Sequence, residues 1–245
     1  FKNVAPYAST IYNYQENTTV VGCRFWQNRA PGSGYASCAV QADDSGSTWV
    51  NCLFAGNTAT NSGTAFYNRA GAGVTVQPRL TNCTFTANGI PSGYAVYCLS
   101  GSVSLTNCIL WGNGGLPDHQ IGLWTTGAAV SATHCCVQGG WPGDGNGSDN
   151  PLFADFDGAD NVAGTPDDDL HLTAGSPCID AGDDTALSEC DTVDLDRRPR
   201  RLDGNADGSV IVDIGAYEFG ETFVDCNGNG VADLDGRDKT LGNLS

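Results

Sequence analysis

Oxygen-bearing side chains are concentrated in three Asp-rich loops of the second half of the sequence, and oxygen is the ligand that calcium prefers. The loop that starts at Asp203 follows the D-x-[DN]-x-[DN]-G pattern of a calcium-binding turn, with oxygens at alternate positions and a glycine that permits a sharp bend. The loop that starts at Asp225 follows the same pattern and adds an acid at its ninth position. The predicted ligands in these two loops are Asp203, Asn205, Asp207, Ser209, Asp225, Asn227, Asn229, Val231 and Asp233.

The remaining Asp-rich loop, residues 155–169, places six carboxylates in a short stretch that is interrupted by turn residues. Their mutual repulsion is unfavourable unless a cation neutralises it. The predicted calcium ligands in this loop are Asp155, Asp157, Asp160, Asp167 and Asp169. Calcium is therefore the cofactor that the sequence predicts.

All three loops also admit an interpretation as solvated acidic turns of the Asx type, in which side-chain oxygens accept hydrogen bonds from nearby amides. Neither patterned loop is a complete EF-hand, because Ile214 and Gly236 stand where a bidentate glutamate is expected at position twelve. Helical periodicity is also absent from the residues around them. The elements that position these loops must therefore be something other than an EF-hand helix pair.

The charge of the chain is strongly asymmetric. The sequence carries 11 Lys and Arg against 28 Asp and Glu, a net charge of −17, and most of the excess lies beyond residue 140. Such a balance cannot build a basic phosphate-binding surface, so nucleic acid is excluded as a partner. The change in composition predicts three regions, at residues 1–140, 141–220 and 221–245.

A run of about 18 apolar residues, which a membrane-spanning helix needs, does not occur in the sequence. The sequence contains no Met and begins at Phe1, so we expect that it does not include a signal peptide.

The first 140 residues repeat the pattern C-x-[FL]-x-x-N at intervals of 25 to 31 residues. A ragged period of this size is typical of a β-solenoid, in which each repeat forms one turn of a coil and the loops vary in length. Four copies match the pattern and a fifth is degenerate; they begin at Cys23, Cys52, Cys83, Cys108 and Cys135.

An apolar or small residue stands three positions before each of these cysteines: Val20, Trp49, Leu80, Leu105 and Ala132. A separation of three residues requires a bend if both side chains are to point inward, and Asn51, Asn82 and Asn107 tolerate the left-handed backbone of such a bend. The sequence therefore predicts an all-β fold, a right-handed parallel β-helix of five or six rungs spaced about 4.8 Å apart, followed by an irregular Asp-rich, calcium-binding region. Identical residues are expected to stack on one another along the coil.

The sequence has 11 cysteines, and those of the repeat should point the same way on stacked rungs. That geometry does not suit the near-right-angle S–S torsion of a disulfide, so we interpret these cysteines mainly as buried thiols. Cys178 with Cys190 is the pair most compatible with a disulfide, whereas Cys226 has no assigned partner. No C-x-x-C pair indicates a zinc site.

The sequence gives little support for catalysis. The three histidines lie in unrelated contexts, and His134 occupies the bend position that asparagine holds in other rungs, which favours a structural role. Asp43 and Asp44 are the adjacent acidic pair of the coil, but neighbouring residues of an extended chain point apart, unlike the two opposed carboxylates of a glycosidase.

Aromatic residues also recur in the repeat, at Trp26 and Trp111 and in a track formed by Tyr7, Tyr35 and Tyr94. Such a stripe can stack on sugar rings, or it can pack against the coil or a partner subunit, and the packing interpretation is the favoured one.

The repeat segment Leu80–Phe85 resembles the short parallel β-helix repeats of polymorphic outer-membrane proteins, over about residues 1–140. The segments 170–183, 194–200 and 212–219 resemble the C-terminal region of the choice-of-anchor Q proteins, and segment 225–231 is similar to a calcium-loop tail of planctomycete-type surface proteins. These resemblances imply a secreted or cell-surface protein in which the C-terminal region ends a β-helix.

We therefore expect a non-catalytic extracellular protein with a structural or adhesive role, stabilised by calcium. Because the first rung has no evident cap, its open strand edges predict end-to-end assembly of copies of this chain into fibres. The alternative is a glycan-binding or glycan-cleaving β-helix protein that uses its aromatic stripes and loops on surface glycans.

Overall fold

Short strands separated by tight bends make up the first part of the chain. The computed structural model describes residues 10–30, 39–59, 63–75, 77–89, 93–188 and 192–220. The strands of the coil are, in chain order, β1 (Ile11–Tyr14), β2 (Thr19–Val21), β3 (Arg24–Trp26), β4 (Arg29–Ala30), β5 (Val40–Asp43), β6 (Thr48–Val50), β7 (Leu53–Ala55), β8 (Thr58–Ala59), β9 (Gly63–Arg69), β10 (Arg79–Thr81), β11 (Thr84–Thr86), β12 (Tyr94–Cys98), β13 (Ser102–Thr106), β14 (Ile109–Trp111), β15 (Ile121–Leu123), β16 (Ala129–Thr133) and β17 (Cys136–Val137).

These strands form three parallel sheets that wind together as one coil. Sheet 1 has the order β1-β5-β9-β12-β15, sheet 2 the order β2-β6-β10-β13-β16, and sheet 3 the order β3-β7-β11-β14-β17, while β4 and β8 pair separately. Each sheet holds five strands, one from each rung, which agrees with the lower of the two predicted rung counts. The predicted all-β parallel β-solenoid is confirmed.

The interior of the coil consists of columns of like residues. Phe25, Phe54 and Phe85 share one register in sheet 3 and stack with ring centroids 4.8 and 4.5 Å apart and almost parallel planes. Leu110 and Val137 continue this column at the same register. The predicted stacking of identical residues is therefore confirmed.

The bend between sheets 2 and 3 has the predicted left-handed backbone. Asn51, Asn82, Asn107 and His134 have φ angles between 50° and 53°, and Gly22 supplies the same conformation in the first rung with φ 63°. His134 thus serves as a bend residue, as its alignment with the asparagines indicated. The bends turn the following cysteines inward, where Cys52, Cys83, Cys108 and Cys135 are fully buried.

A second bend, after sheet 3, carries a ladder of buried asparagines. Asn28, Asn57, Asn88 and Asn113 have no exposed surface, and each Nδ2 donates to the Oδ1 of the next rung's asparagine at 2.7, 2.7 and 2.9 Å. Gln120 Oε1 ends the ladder by accepting from Asn113 Nδ2 at 2.7 Å. Buried amides paired in this way satisfy their own polar atoms and fix the register of successive rungs.

The end of the coil after β17 is capped. Trp141 packs against the interior of the coil and donates its Nε1–H to the carbonyl of Val130 at 3.2 Å. Asn146 Oδ1 accepts from the amide of Cys135 at 2.9 Å, and Gly147 forms a β-bridge with Cys136. The loop that contains Trp141 and Asn146 therefore covers edge groups that a further rung would otherwise pair.

The acidic region that follows contains the antiparallel strands β18 (Phe153–Asp155) and β19 (Asp169–Leu172), and a 3₁₀ turn at Asp184–Ala186. It packs on the outer face of sheet 3, where Leu53 and Ala55 join one apolar cluster with Leu195 and Tyr217. Trp26 and Trp111 are partly buried against the clusters of this interface, which supports the packing interpretation of these two residues.

Hydrogen bonds from the bend asparagines fasten the acidic region to the coil. Asn107 Oδ1 accepts from the amide of Asp183 at 2.7 Å, and its Nδ2 donates to the carbonyl of the same residue at 3.1 Å. Asn51 Nδ2 donates to the carbonyl of Val193 at 2.7 Å. In the part of the chain that the structure describes, no helix has the length and apolarity needed to cross a bilayer.

Candidate functional site

The outer face of sheet 1 carries a column of aromatic side chains. Strand pairing places Tyr12, Gln41, Tyr67, Tyr97 and Gly122 next to one another on successive strands of sheet 1. These positions face away from the interior of the coil, because the residues before and after each of them point into it. The rings of Tyr67 and Tyr97 are stacked with centroids 5.9 Å apart and are buried, whereas Tyr12 is 54% exposed. Along this column the tyrosines of the third and fourth rungs are therefore buried, whereas the tyrosine of the first rung is exposed.

Gly122 makes room for this aromatic layer. A Cβ atom at Gly122 would lie 2.6 Å from ring atoms of Tyr94 and 2.8 Å from a ring atom of Tyr97. The rings of Tyr94 and Tyr97, whose centroids are 5.8 Å apart, thus lie directly over the glycine.

A buried carboxylate organises the first rungs of the same face. Asp43 is 1% exposed, and its Oδ2 accepts from Arg69 Nη2 at 2.6 Å, from the hydroxyl of Tyr12 at 3.1 Å and from Gln41 Nε2 at 3.1 Å. Burial and then the Asp43 charge raise the pKa of Tyr12, so its hydroxyl stays a donor. This arrangement fixes the guanidinium of Arg69, which is 47% exposed, against the sheet.

A groove of about 590 Å³ opens beside Arg69 at the end of sheet 1. Tyr14 and Trp124, which are 51% and 70% exposed, stand along it together with Leu99 and Asp44. We call this the sheet 1 groove. Exposed aromatic rings beside a fixed guanidinium and a carboxylate provide stacking surfaces and hydrogen-bonding groups for a polar ring.

The acidic pair Asp43 and Asp44 is not arranged as two opposed carboxylates. Asp43 is held by Arg69, whereas Asp44 has a left-handed backbone with φ 52° and accepts from the amide of Gly71. This agrees with the sequence-based expectation that the two side chains point apart. Of the predicted tyrosine track, Tyr7 and Tyr35 lie outside the described residues, and Tyr94 packs on Tyr97.

In the predicted calcium loop of residues 155–169, three carboxylates lie around the hydroxyl of Thr165. Thr165 Oγ1 donates to Asp167 Oδ1 at 2.5 Å and lies 3.4 Å from Asp160 Oδ1 and from Asp168 Oδ1. Asp155 and Asp157 are exposed on the strand and turn before this group. The Thr165 hydrogen bond lowers the pKa of Asp167, whereas burial raises the pKa of Asp168.

The fifth predicted ligand of this loop, Asp169, makes a different contact. Its Oδ1 lies 2.5 Å from His171 Nδ1, and the other ring nitrogen of His171 lies 2.7 Å from Asp196 Oδ2. Asp196 also pairs with Arg24 of β3. Burial opposes ionisation of Asp169 and Asp196, but their bonds to His171 outweigh it and lower the pKa of both. This clasp links the acidic region to the first rung.

The loop at Asp203 folds as consecutive Asx turns. Asp203 accepts from the amides of Asp207 and Gly208 at 3.1 and 3.0 Å, Asn205 accepts from the amide of Asp207 at 2.9 Å, and Asp207 accepts from the amide of Ser209 at 2.8 Å. Among the described residues, no three His, Cys, Asp or Glu side chains are grouped as a metal site requires. The loop at Asp225, with Asn227, Asn229, Val231 and Asp233, lies outside the described residues.

A cleft of about 1110 Å³ borders this loop, lined by Asp203, His171, Arg198 and Arg201 and bounded by Gly220. His171 is already engaged by two carboxylates in the clasp. In the glycan-cleaving alternative, this cleft would supply a basic residue, His171, close to a candidate calcium ligand, Asp203.

A buried charge network that sequence reasoning missed holds the acidic region together. Arg200 is 1% exposed, and its Nη2 donates to the carbonyls of Asp213 and Gly215 at 3.1 and 2.9 Å. Glu218 Oε2 lies 3.5 Å from Arg200 Nη1. Burial raises the pKa of Glu218 to about 9 and that of Asp213 to about 7. The available signal was the presence of charged residues inside the otherwise apolar segment 212–219.

Comparison with protein-family models identifies the family of the coil. The family model described as "Right handed beta helix region" matches residues 5–137, which is more than half of the chain and ends where the last strand of the coil ends. No curated protein and no solved structure matches the chain.

Proposed function

Because the chain belongs to the right-handed β-helix family, we propose that it is a secreted or cell-surface scaffold with a structural or adhesive role and without catalytic activity of its own. The observation that carries this proposal is the use of the coil's polar side chains. The asparagines of the ladder form hydrogen bonds between rungs, and Asp43 forms an ion pair with Arg69. Groups engaged in this way support a rigid coil and are not poised for proton transfer.

The sheet 1 groove is the surface that we assign to adhesion. The acidic region covers the outer face of sheet 3, whereas Tyr14 and Trp124 remain exposed at sheet 1. Large exposed aromatic side chains next to fixed polar groups are typical of recognition surfaces. Attachment through this groove would leave the acidic region free on another side of the coil.

Calcium is part of the proposal as the ion that orders the acidic region. Support comes from the six carboxylates of residues 155–169, whose mutual repulsion a bound cation would lower. The described side chains do not form a preassembled site, so binding would require Asp160, Asp167 and Asp168, which lie around Thr165, to close on the ion. Calorimetry on chelator-stripped protein should show heat of calcium binding and a higher melting temperature with calcium. Asp167→Asn should weaken both effects, whereas Asp144→Asn, at an exposed acid of the capping loop, should not. No heat and an unchanged melting temperature would remove calcium from the proposal.

End-to-end assembly into fibres is the remaining part of the prediction. Such stacking joins one end of a coil to the opposite end of the next, and the Trp141 loop occupies the end after β17. Fibres therefore require this cap to move. Electron microscopy across protein and calcium concentrations tests this, and a population of single particles under all conditions would contradict fibre formation.

A glycan ligand is the second candidate function, favoured by the position of Arg69 between Tyr14 and Trp124 in the sheet 1 groove. Incubation with immobilised polysaccharides, combined with a reducing-end assay, separates binding from cleavage. Adhesion predicts retention that Trp124→Ala abolishes, with no new reducing ends, while Val210→Ala, at an exposed apolar residue far along the chain, binds as the unmodified protein does. Release of reducing ends that depends on His171 would contradict the non-catalytic proposal.

A further inference from the structure

Two cysteines meet at the interface between the coil and the acidic region. Cys136 begins β17, and because Cys135 and Val137 belong to the interior cluster of the coil, the Cys136 side chain lies on the outer face of sheet 3. Cys178 belongs to the acidic region that covers this face. Both residues are buried, at 2% and 1% exposure, within one apolar cluster that includes Ile109 and Ile214.

The two thiols are neighbours within this buried cluster and line the same small cavity. The neighbouring Cys136 side chain and burial both raise the pKa of the Cys178 thiol. Cys136 Sγ also lies 3.2 Å from the carbonyl oxygen of Asp149. A cavity of about 100 Å³ is lined by both cysteines and by Pro177.

The cysteines inside the coil are placed differently. In the cysteine column next to sheet 3 each sulfur donates to the backbone carbonyl two residues earlier, as Cys52 does to Val50 at 3.2 Å and Cys135 does to Thr133 at 3.2 Å. Cys98 of sheet 1 donates to the carbonyl of Ser100 at 3.5 Å. A disulfide between coil cysteines of neighbouring rungs would join strands that backbone hydrogen bonds already hold together. A link between Cys136 and Cys178 would instead join two separate layers of the structure and close a loop of 41 intervening residues in the unfolded chain.

We propose that Cys136 and Cys178 form a disulfide that fastens the acidic region to the last rung of the coil. The oxidant is a small-molecule disulfide, for which glutathione disulfide serves as the probe. One cysteine thiolate attacks it, which forms a mixed disulfide and releases one glutathione; the second cysteine thiolate then attacks the protein sulfur of the mixed disulfide and releases the other. Two electrons pass from the cysteine pair to glutathione disulfide, and the two thiol protons end on the two glutathione thiols.

The test uses the full-length protein and does not depend on its cellular location. The protein is equilibrated with glutathione disulfide or with excess reduced glutathione, alkylated under denaturing conditions, digested without reduction and analysed by mass spectrometry. We expect a cross-linked peptide that contains Cys136 and Cys178 in the oxidised sample only. The oxidised protein should melt on the order of 5–10 °C higher than the reduced protein.

Matched variants assign the stability difference to this pair. Cys136→Ala and Cys178→Ala should each abolish the difference in melting temperature between oxidised and reduced protein, whereas Cys98→Ala, at a buried cysteine of sheet 1, should retain it. The cross-link analysis of the unmodified protein needs no variant and remains decisive if a variant fails to fold. Quantitative alkylation of both cysteines after oxidation would overturn the proposal. A cross-link between Cys178 and Cys190, the pair expected from the sequence, would also overturn it; Cys190 lies outside the described residues.

Discussion

Replacement of Asn88 with alanine should destabilise the protein by about 3–5 kcal/mol, because Asn88 is the central member of the asparagine ladder. Its Oδ1 accepts from the backbone amide of Asn57 at 3.1 Å and from Asn57 Nδ2 at 2.7 Å. Its Nδ2 donates to Asn113 Oδ1 at 2.9 Å and to the carbonyl of Phe54 at 2.8 Å. Alanine removes all four hydrogen bonds from a position with no exposed surface.

The magnitude follows from which partners lose their bonds. The amide of Asn57 loses its acceptor, and leaving a buried donor unpaired costs about 1–3 kcal/mol. Asn57 Nδ2 retains the carbonyl of Phe25, and Asn113 Oδ1 retains the amide of residue 88, so those two losses cost about 1 kcal/mol each. The remaining loss, at the carbonyl of Phe54, brings the total to the upper part of the range.

Urea unfolding monitored by circular dichroism measures this difference, with Asn150→Ala, at an exposed asparagine, as the control that should cost under about 1 kcal/mol. Asn88→Asp separates the two halves of the ladder, since a carboxylate can accept from Asn57 but cannot donate to Asn113. A cost below about 1 kcal/mol for Asn88→Ala, equal to the control, would refute the conclusion that the ladder stabilises the coil.

Three further predictions follow from the same structure. Trp141→Ala should cost about 3 kcal/mol and expose the edge after β17, so light scattering should detect stronger self-association than in the unmodified protein; self-association equal to that of the unmodified protein would contradict the capping role. Glu218→Gln should flatten the pH dependence of stability, because burial raises the folded-state pKa of Glu218 to about 9. The stabilisation that comes from the proton on Glu218 is complete below the ordinary glutamate pKa and is lost as pH rises through about 9. Melting temperatures between pH 5 and 9 that match those of the unmodified protein would count against this. Gly122→Val should displace the rings of Tyr94 and Tyr97 and cost about 2 kcal/mol in urea unfolding, and an unchanged midpoint would show that the rings do not lie over the glycine.

The coil could be predicted from the sequence because stacking makes equivalent residues of successive repeats touch one another. Phe25, Phe54 and Phe85 recur at nearly the same interval as the rungs, and that interval is visible in the sequence. The left-handed bends at Asn51 and Asn82 were also predictable, since few residue types adopt this backbone at low cost.

The sheet 1 groove could not be predicted in the same way. Tyr14, Arg69 and Trp124 lie outside the repeated pattern, and they line one groove because strand pairing stacks the ends of the sheet 1 strands, where the residue type differs from rung to rung. The docking of the acidic region on sheet 3 could not be predicted either, because contacts such as that of Asn107 with Asp183 follow no regular spacing in the sequence. Alternating oxygens, as at Asp203, suit an Asx turn and a calcium loop equally, since both require a side-chain acceptor at every second position.

A density map of the calcium-loaded protein at side-chain resolution tests the central claim most directly, namely that the acidic region covers sheet 3 and leaves sheet 1 available for adhesion. We predict that Leu53 and Ile109 lie beneath the acidic region while Tyr14 and Trp124 border an open groove. An acidic region detached from sheet 3, or a groove filled by another part of the same chain, would contradict the account.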